Sequence, residues 1–535
     1  MWFLGLILSY TLVLLLLSQH SKRKQQSAGQ FLDGGRRFGV WNVFLMMTAM
    51  WGASMFSVEL DTGYVSGLSA IWYGISTIVS SLLVASIWLR PFRKIGYLTN
   101  SNLIGRRYGT KARDFAALVI GLTFPIFAMK NVLAAASFLH VMAGWNLATV
   151  LIATTVLVII YVSLGGLWSL AYVQVANLAI FTLGLAVAAY YGLKNHSVMS
   201  IPVPHQSQFH GLMGAGVGTI LVWFGMNILN SVSAQAEFQT IAAAKDVRKG
   251  KLGVYLSSGA LLVFAIVPAL LGMAAREHVE FTNSGLLAFP VYLRLVAPHW
   301  AVVVVGLGFW AAALIWCAPL MFSGASSFGL DFFNRKGLSH NAVAVRNFTR
   351  LSMLIQGVFI VVYALARPGQ LAWWAVFGLT LRNAAVVGPT ISFLLWPAVR
   401  ERTVFASMIL GVASGLGWNA VTDFSATRFA LDINPMWVGT GISMLVIIAG
   451  TLLENRGNIR LSQERIKRWL GIGFAIVGTV FFALSVFLKH VSLQSLFGAD
   501  LFLGILFWFF AIMMLTQTGE ESVGQVEQTN VAVNA

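Results

Sequence analysis

The chain has 535 residues, of which 58% are apolar and 10% are charged, whereas soluble domains carry roughly 25% charged residues. An apolar excess of this size must face lipid tails, so the composition excludes a soluble globule. The net charge of +17 would suggest a nucleic-acid partner in a soluble protein, but here the cations first report topology. The single cysteine, Cys317, excludes an intramolecular disulfide.

About fifteen apolar runs follow one another along the chain, each near the length of about 20 residues that a bilayer core requires. They predict an all-α polytopic membrane protein, because a membrane strand alternates polar and apolar residues and runs such as 302–305 do not. The predicted divisions are an N-terminal helix with a basic cytoplasmic loop (1–38), a first five-helix repeat (39–192), a second five-helix repeat (213–397), four accessory C-terminal helices (398–516) and a disordered cytoplasmic tail (517–535).

Most of the 35 Lys and Arg residues fall in alternate loops, at 19–38, 91–113, 241–251, 331–349, 398–403 and 456–470 with their flanking residues. Cytoplasmic loops carry this excess, so we expect the N-terminus outside and the C-terminus in the cytoplasm of a multi-pass protein of the plasma or inner membrane. The expected partners of these cations are membrane lipids, not nucleic acid. All the loops are short, so we expect no enzyme and place the function inside the helix bundle.

The two sets of five helices predict an inverted repeat, because an odd number of spans reverses the second set. Residues that weaken helical continuity interrupt the first helix of each set, at 51–54 in one and at Gly225, Asn227 and Asn230 in the other. Broken helices at matching positions indicate a binding site at the bilayer midplane. Packing of helices through glycine remains the alternative for each of them.

Five short motifs carry a resemblance to a known family. They are 31–37 (FLDGGRR), 104–109 (IGRRYG), 161–167 (YVSLGGL), 238–245 (FQTIAAAK) and 326–331 (SSFGLD). In this order they are similar to sequence elements of the sodium/solute symporter family. The resemblance implies a leucine-transporter-like core of five plus five inverted helices that moves small organic solutes by alternating access.

The resemblance also places a sodium site, and this chain departs from it. In the family, carbonyls of the first broken helix and hydroxyls of the eighth core helix hold the ion. The hydroxyl positions correspond to Ile315 and Trp316, or to Trp316 and Cys317, and none offers the oxygen that a hard cation requires. Thr48, Ala312 and Trp316 remain the candidates for ion coupling or gating on these two helices.

A second departure concerns an acid and a base of the family motifs, which are replaced here by Gln174 and Thr240. If the two pair in relatives, losing both avoids an unpaired buried charge. We therefore expect proton coupling or no coupling ion, with sodium retained as the family default. No cofactor and no bound metal are expected.

Two cations lie within predicted spans. Lys130 falls near the middle of its span, where an unpaired lysine costs roughly 2.5–3.5 kcal/mol. It is open whether Lys130 binds a solute carboxylate, titrates, occupies the place of a lost cation, or packs against carbonyls. Arg382 favours an anionic ligand because its guanidinium bonds carboxylates in a bidentate manner, and a bridge between helices is the alternative.

The remaining candidates are acids, amides and apolar wall residues. Glu59 and Asp61 are expected at the outer end of the first core helix, as gates, proton acceptors, partners of Arg382 or solvated side chains. Glu237 is expected in an interfacial ion pair with nearby cytoplasmic cations. The further solute-binding candidates are Asn227 and Asn230, on one helical face, with Trp51 and Met55 as the apolar wall.

These observations predict a secondary active transporter that imports a small organic, anionic solute by alternating access. The alternative is a membrane-embedded solute sensor that works with a separate signalling partner. Oligomeric state and solute identity are left open by the sequence.

Overall fold

The computed structural model describes residues 2–22, 37–96, 99–164, 167–194, 209–279, 284–333, 342–490 and 496–518. Most of the predicted basic loop, 23–36, and most of the predicted tail, 519–535, lie outside these residues. Nearly all of the described chain is helical, which confirms the predicted all-α class. Two three-residue strands, β1 (Ile459–Leu461) and β2 (Thr516–Thr518), form a small antiparallel pair.

The helices follow the predicted apolar runs closely. Up to residue 242 they are α1 (Trp2–Lys22), α2 (Val40–Ser66), α3 (Ile71–Leu83), α4 (Leu89–Ile95), α5 (Asn100–Ala143), α6 (Leu147–Leu164), α7 (Leu167–Leu193), α8 (Val217–Asn230) and α9 (Gln235–Ala242). Beyond it they are α10 (Val247–His278), α11 (Gly285–Val296), α12 (His299–Ser326), α13 (Ala342–Ala366), α14 (Leu371–Leu395), α15 (Glu401–Val421), α16 (Pro435–Glu454), α17 (Arg465–His490) and α18 (Ala499–Leu515).

In the described part of the chain, ten helical segments are long and apolar enough to cross a membrane, and the α8–α9 pair adds an eleventh. Three predicted spans, 2–18, 146–164 and 499–516, correspond to apolar stretches of fewer than 18 residues, Phe3–Leu17, Leu147–Ser163 and Ala499–Leu515. The multi-pass character is therefore confirmed, while the expected number of about fifteen is not.

Helix α2 corrects one expectation, because it is continuous from Val40 to Ser66 and has no break at 51–54. Gly52 instead permits close packing: a Cβ atom added there would lie 3.1 Å from the ring of Phe264 on α10. Farther along the same contact, a Cβ atom on Gly63 would lie 2.4 Å from the carbonyl oxygen of Ala269. The alternative of glycine-mediated helix packing is the correct one for this helix.

The leading helix of the second set is interrupted, as predicted, but the break lies later than expected. Helix α8 continues through Gly225 and Asn227, ends at Asn230, and gives way to turns before α9 begins at Gln235. Gly225 serves packing, since a Cβ atom there would lie 2.0 Å from the ring of Trp437. The amide of Ser233 donates to the carbonyl of Asn230 at 2.8 Å and closes the turn.

The chain forms two compact units. The first contains 1–90, 120–215 and 234–378, and its main packing contacts join α2 to α10 and α7 to α12. The second contains 91–119, 216–233 and 379–535, where α15 packs on α16 and α17 packs on α18. The boundaries of the five predicted divisions stay a prediction.

Candidate coupling and solute site

Lys130 lies in the middle of α5 in the first unit and is 1% exposed. Its ammonium faces the rings of Trp316, Tyr73 and Phe127, at 5.6, 5.9 and 5.9 Å from their centroids. Aromatic faces attract a cation most strongly where water is absent. The amino group of Lys130 is therefore enclosed by aromatic rings and does not extend to the membrane surface.

Glu59 on α2 carries the opposite charge and borders the same stretch of α3: Gly74 adjoins its carboxylate, and the neighbouring Tyr73 ring faces the ammonium of Lys130. The side chain is 0% exposed, so its expected alternative as a solvated residue is wrong. Gly74 makes room for the carboxylate, since a Cβ atom there would lie 2.5 Å from Glu59 Oε1. Among the residues that the structure describes, neither carboxylate oxygen has a hydrogen-bond partner.

Asp61 lies two residues farther along α2 and is also buried, at 1% exposure. Its Oδ1 atom accepts from the backbone amide of Gly285 at 2.8 Å, and its Oδ2 atom accepts from that of Leu371 at 2.9 Å. The hydroxyl of Ser284 donates to Oδ1 at 3.5 Å. Asp61 thus satisfies free amides at the start of both α11 and α14.

The face of α12 that would hold a sodium ion is bonded to the amide of Asn131, a residue that the sequence analysis did not single out. The Asn131 Nδ2 atom donates to the carbonyl of Ala53 on α2 at 2.9 Å and to that of Ala312 on α12 at 3.2 Å. Its Oδ1 atom accepts from Ser57 at 2.6 Å. One neutral amide therefore joins α2, α5 and α12.

The next carbonyl on this face is bonded as well. The Gln174 amide donates to the carbonyl of Ile315 at 2.9 Å, and the Trp316 indole donates to that of Phe127 at 2.7 Å. Thr48 is occupied elsewhere, because its hydroxyl donates to Ser257 on α10 at 3.0 Å.

Of the predicted apolar wall, Trp51 contacts Trp316 with ring centroids 5.4 Å apart, and Met55 is fully buried. Trp51 therefore lies beside one of the rings that surround Lys130. These residues form one cluster in the first unit with Glu59 and Asn131.

The second unit contains the other predicted cation and its amide. The guanidinium of Arg382 on α14 donates to the side-chain oxygen of Asn230 at the end of α8. Beside it, Asn383 donates to the carbonyl of Met226 at 3.1 Å, and Asn227 is 4% exposed. Arg382 and Asn230 are thus brought together as predicted site residues, at the point where the second leading helix breaks.

Glu237 on α9 is a correction. It was expected in an interfacial ion pair, but it is 1% exposed and its Oε1 atom accepts from Ser81 on α3 at 2.5 Å. The cations that follow it in sequence lie beyond the end of α9 at Ala242, and the helical turn directs the carboxyl toward α3 instead.

Long apolar helices and charges buried within single spans define a polytopic helical membrane protein with an internal polar site. One of these helices is broken beside the bonded pair of Arg382 and Asn230. The model of the sodium:solute symporter family matches residues 31–411. The chain belongs to this family.

Individual relatives are distant. The high-affinity choline transporter 1 of Drosophila melanogaster is 24% identical over 70% of this chain and 63% of its own length, so the match spans less than two thirds of that protein. The uncharacterized symporter YwcA of Bacillus subtilis (strain 168) is 20% identical, over 84% of this chain and 90% of its own.

A solved structure confirms the leucine-transporter-like fold. The substrate-bound, outward-open state of a Na+-coupled sialic acid symporter aligns with a TM-score of 0.67 and 17% identity, covering 84% of this chain and 97% of that one. The closed conformation of Mhp1, a nucleobase-cation-symport-1 family transporter, aligns with a TM-score of 0.54 and 12% identity, covering 79% of this chain and 94% of that one.

Proposed function

We propose that the chain imports a small organic anion by alternating access, and that protons instead of sodium drive this transport. Family membership and the shared fold support the transport activity. The proposal includes the orientation expected from the basic loops, with the N-terminus outside and the C-terminus in the cytoplasm.

The argument against sodium concerns the carbonyl oxygens between α2 and α12. A sodium ion needs several oxygen lone pairs directed at one point. Those of Ala53, Ala312 and Ile315 already accept hydrogen bonds from the amides of Asn131 and Gln174. The amide hydrogens carry partial positive charge. They therefore occupy the place where the ion would bind and repel a cation there.

The observation that carries the proton proposal is the burial of Glu59 and Lys130 beside the adjacent residues Gly74 and Tyr73 of α3. A buried carboxylate without hydrogen bonds is costly unless it is neutralised by a proton or by a nearby cation. When a proton binds Glu59, the ammonium of Lys130 loses its counter-charge and becomes free to attract a solute carboxylate. Proton and solute then bind together, which is the requirement for symport.

The class of solute follows from the cations. In the first unit Lys130 attracts a carboxylate as a point charge. In the second unit the guanidinium of Arg382, bonded to Asn230, is of the kind that bonds carboxylates in a bidentate manner. Choline is the contrasting solute, because several relatives are named as choline transporters. Its quaternary ammonium would compete for aromatic faces that Lys130 already occupies.

The test is uptake into proteoliposomes of a panel of labelled carboxylates, with choline as the contrasting solute and with proton and sodium gradients varied independently. We expect carboxylate uptake to follow an inward proton gradient and to be unchanged when potassium replaces sodium. Uptake driven by a sodium gradient alone would contradict the proton proposal. Solute binding without uptake under any gradient would favour the sensor.

A further inference from the structure

A second buried carboxyl, Glu237, remains outside the proposed coupling pair. It lies in the first unit, accepts one hydrogen bond from Ser81, and its Oε2 atom has no hydrogen-bond partner within the described parts of the chain. No described Lys or Arg forms an ion pair with it. A carboxyl in this setting is more stable as the neutral acid than a solvated one, so it can hold a proton.

The groups around Glu237 come from four packed helices. Helix α3 presents Ser81, and α2 presents the indole of Trp51. On α10, the Lys251 ammonium donates to the carbonyl of Ser86, and the Tyr255 hydroxyl bonds the Ser86 hydroxyl. On α12, the Cys317 thiol donates to a carbonyl of α5. The Lys251 ammonium, Tyr255 and Cys317 are thus bonded to partners other than Glu237, and the hydrogen bond that Glu237 accepts comes from the neutral hydroxyl of Ser81.

Helix α3 links this carboxyl to the first site. At one end Gly74 contacts Glu59 and Tyr73 faces Lys130. At the other end Ser81 bonds Glu237, and the seven residue steps from Gly74 to Ser81 span about 10 Å of helix.

A row of hydroxyls covers that distance. Thr77, Ser80 and Ser81 continue the face of Gly74 at helical spacing, and all three are buried. The Thr77 hydroxyl donates to the carbonyl of Tyr73 at 3.1 Å, so it turns away from that carbonyl when it passes a proton onward. The Ser80 hydroxyl has no hydrogen-bond partner among the described residues. These three residues are called the hydroxyl row below.

We infer that Glu237 is a second proton-binding residue and that the hydroxyl row conducts a proton between Glu59 and Glu237. This inference rests on the proposed proton coupling and adds the route by which the proton leaves. The Glu59 carboxyl gives up its proton, each hydroxyl accepts one proton and passes its own onward, and Ser81 donates to Glu237. Glu59 ends as the carboxylate and Glu237 as the acid, with no other bond changed.

The spacing of the row fits a relay with water. Thr77 lies three residues from Gly74 and from Ser80 and four residues from Ser81, and side chains at these separations have Cβ atoms about 5–6 Å apart. One water molecule between the hydroxyls of Thr77 and Ser81 closes such a gap, and Ser80 offers a second hydroxyl beside Thr77. The direction follows from the chain: α9 ends at Ala242, beside the loop 241–251 that is expected in the cytoplasm. Glu237 is then the end from which the proton is released inward.

The experiment compares Glu237→Gln with wild type in two modes of transport. Uptake against a solute gradient, driven by a proton gradient, requires net proton movement, whereas exchange of internal for external solute does not. We expect Glu237→Gln to reduce proton-driven uptake by about tenfold or more while exchange stays within about twofold. Thr77→Val, which removes the hydroxyl that links the two ends of the row, should lower proton-driven uptake in the same direction and also spare exchange.

The matched control is Glu464→Gln, an acid that is 62% exposed and paired with Lys467, and it should leave both modes unchanged. Equal proton-driven uptake in Glu237→Gln and wild type would overturn the inference and leave the proposed function intact. Wild-type uptake that ignores the proton gradient would instead overturn the proposed function itself. A preserved exchange activity shows that each variant is folded.

Discussion

Two carboxylates, two residues apart on α2, have opposite surroundings. Asp61 accepts from the amides of Gly285 and Leu371, whereas Glu59 has no hydrogen-bond partner among the described residues. Both are at most 1% exposed, so burial alone does not distinguish them. Their hydrogen bonds distinguish the two carboxylates.

The difference separates a structural charge from one that can change. Amides that face Asp61 stabilise its ionised form and lose their partners if it is removed. Glu59 has no such pair of amides from two helices, and the ammonium of Lys130 is the opposite charge that acts on it. A buried acid whose compensation is a single mobile charge suits a coupling role, and one that caps two helices suits a structural role.

The largest effect is expected where the pair of Glu59 and Lys130 is broken. Lys130→Met leaves the carboxylate of Glu59 without its counter-charge, which costs about 3–5 kcal/mol of stability. We expect solute uptake in proteoliposomes to fall roughly a hundredfold, as for the loss of a charge-assisted contact of about 3 kcal/mol. Thermal unfolding in detergent measures the stability.

The double variant Lys130→Met with Glu59→Gln provides the control for folding. Because neither charge remains, it should regain most of the lost stability and none of the transport. Lys467→Met removes a lysine that is 49% exposed and should change neither quantity. Undiminished solute binding and uptake in Lys130→Met would eliminate the proposed role of Lys130.

The opposite pattern is expected at Asp61. Asp61→Ala leaves the amides of Gly285 and Leu371 without an acceptor, and each buried orphan costs about 1–3 kcal/mol. Asp61→Asn keeps one oxygen and should lose about half as much. Thermal unfolding measures the loss, and the surviving uptake should keep the wild-type dependence on the proton gradient.

The contrast between Asp61 and Glu59 would fail if Asp61→Asn were as stable as wild type while its solute uptake no longer depended on the proton gradient. Asp61 would then be the coupling acid, and the unbonded state of Glu59 would have another explanation.

The sequence sufficed for the parts of the fold that depend on long apolar runs. The order of the helices and the interruption of the second leading helix follow from length and local composition. The continuity of α2 does not follow from them. Gly52 would weaken an isolated helix, but in α2 it permits close packing against Phe264. Whether a glycine breaks a helix or joins two of them depends on the neighbour.

The site shows the same limit. Lys130 was predictable, since a lysine in the middle of a span must have a buried partner. The roles of Asn131 and Glu237 were not, because each depends on which helix faces it: Asn131 looks like an ordinary amide in an apolar span, and Glu237 lies near cations in sequence but bonds Ser81 in space. The only available signal for Asn131 was its position next to Lys130.

The smallest expected effect tests whether Asn131 stands in for a cation. Asn131→Asp replaces the amide donor with a carboxylate. Its oxygens would then face the carbonyl oxygens of Ala53 and Ala312 and the hydroxyl oxygen of Ser57. Such a set repels itself unless a cation binds among its members. We expect sodium to stabilise this variant against thermal unfolding by about 1.4 kcal/mol at ten times its dissociation constant.

Asn131→Leu is the matched control, because it removes the same amide without adding a carboxylate, and it should show no response to sodium. Wild type should also be indifferent to sodium, since the amide hydrogens already occupy the carbonyls of Ala53 and Ala312. Stabilisation of wild type by sodium would mean that the ion binds despite these hydrogen bonds. Coupling would then have to be assigned to sodium, and the free carboxylate of Glu59 would be the first candidate for its ligand.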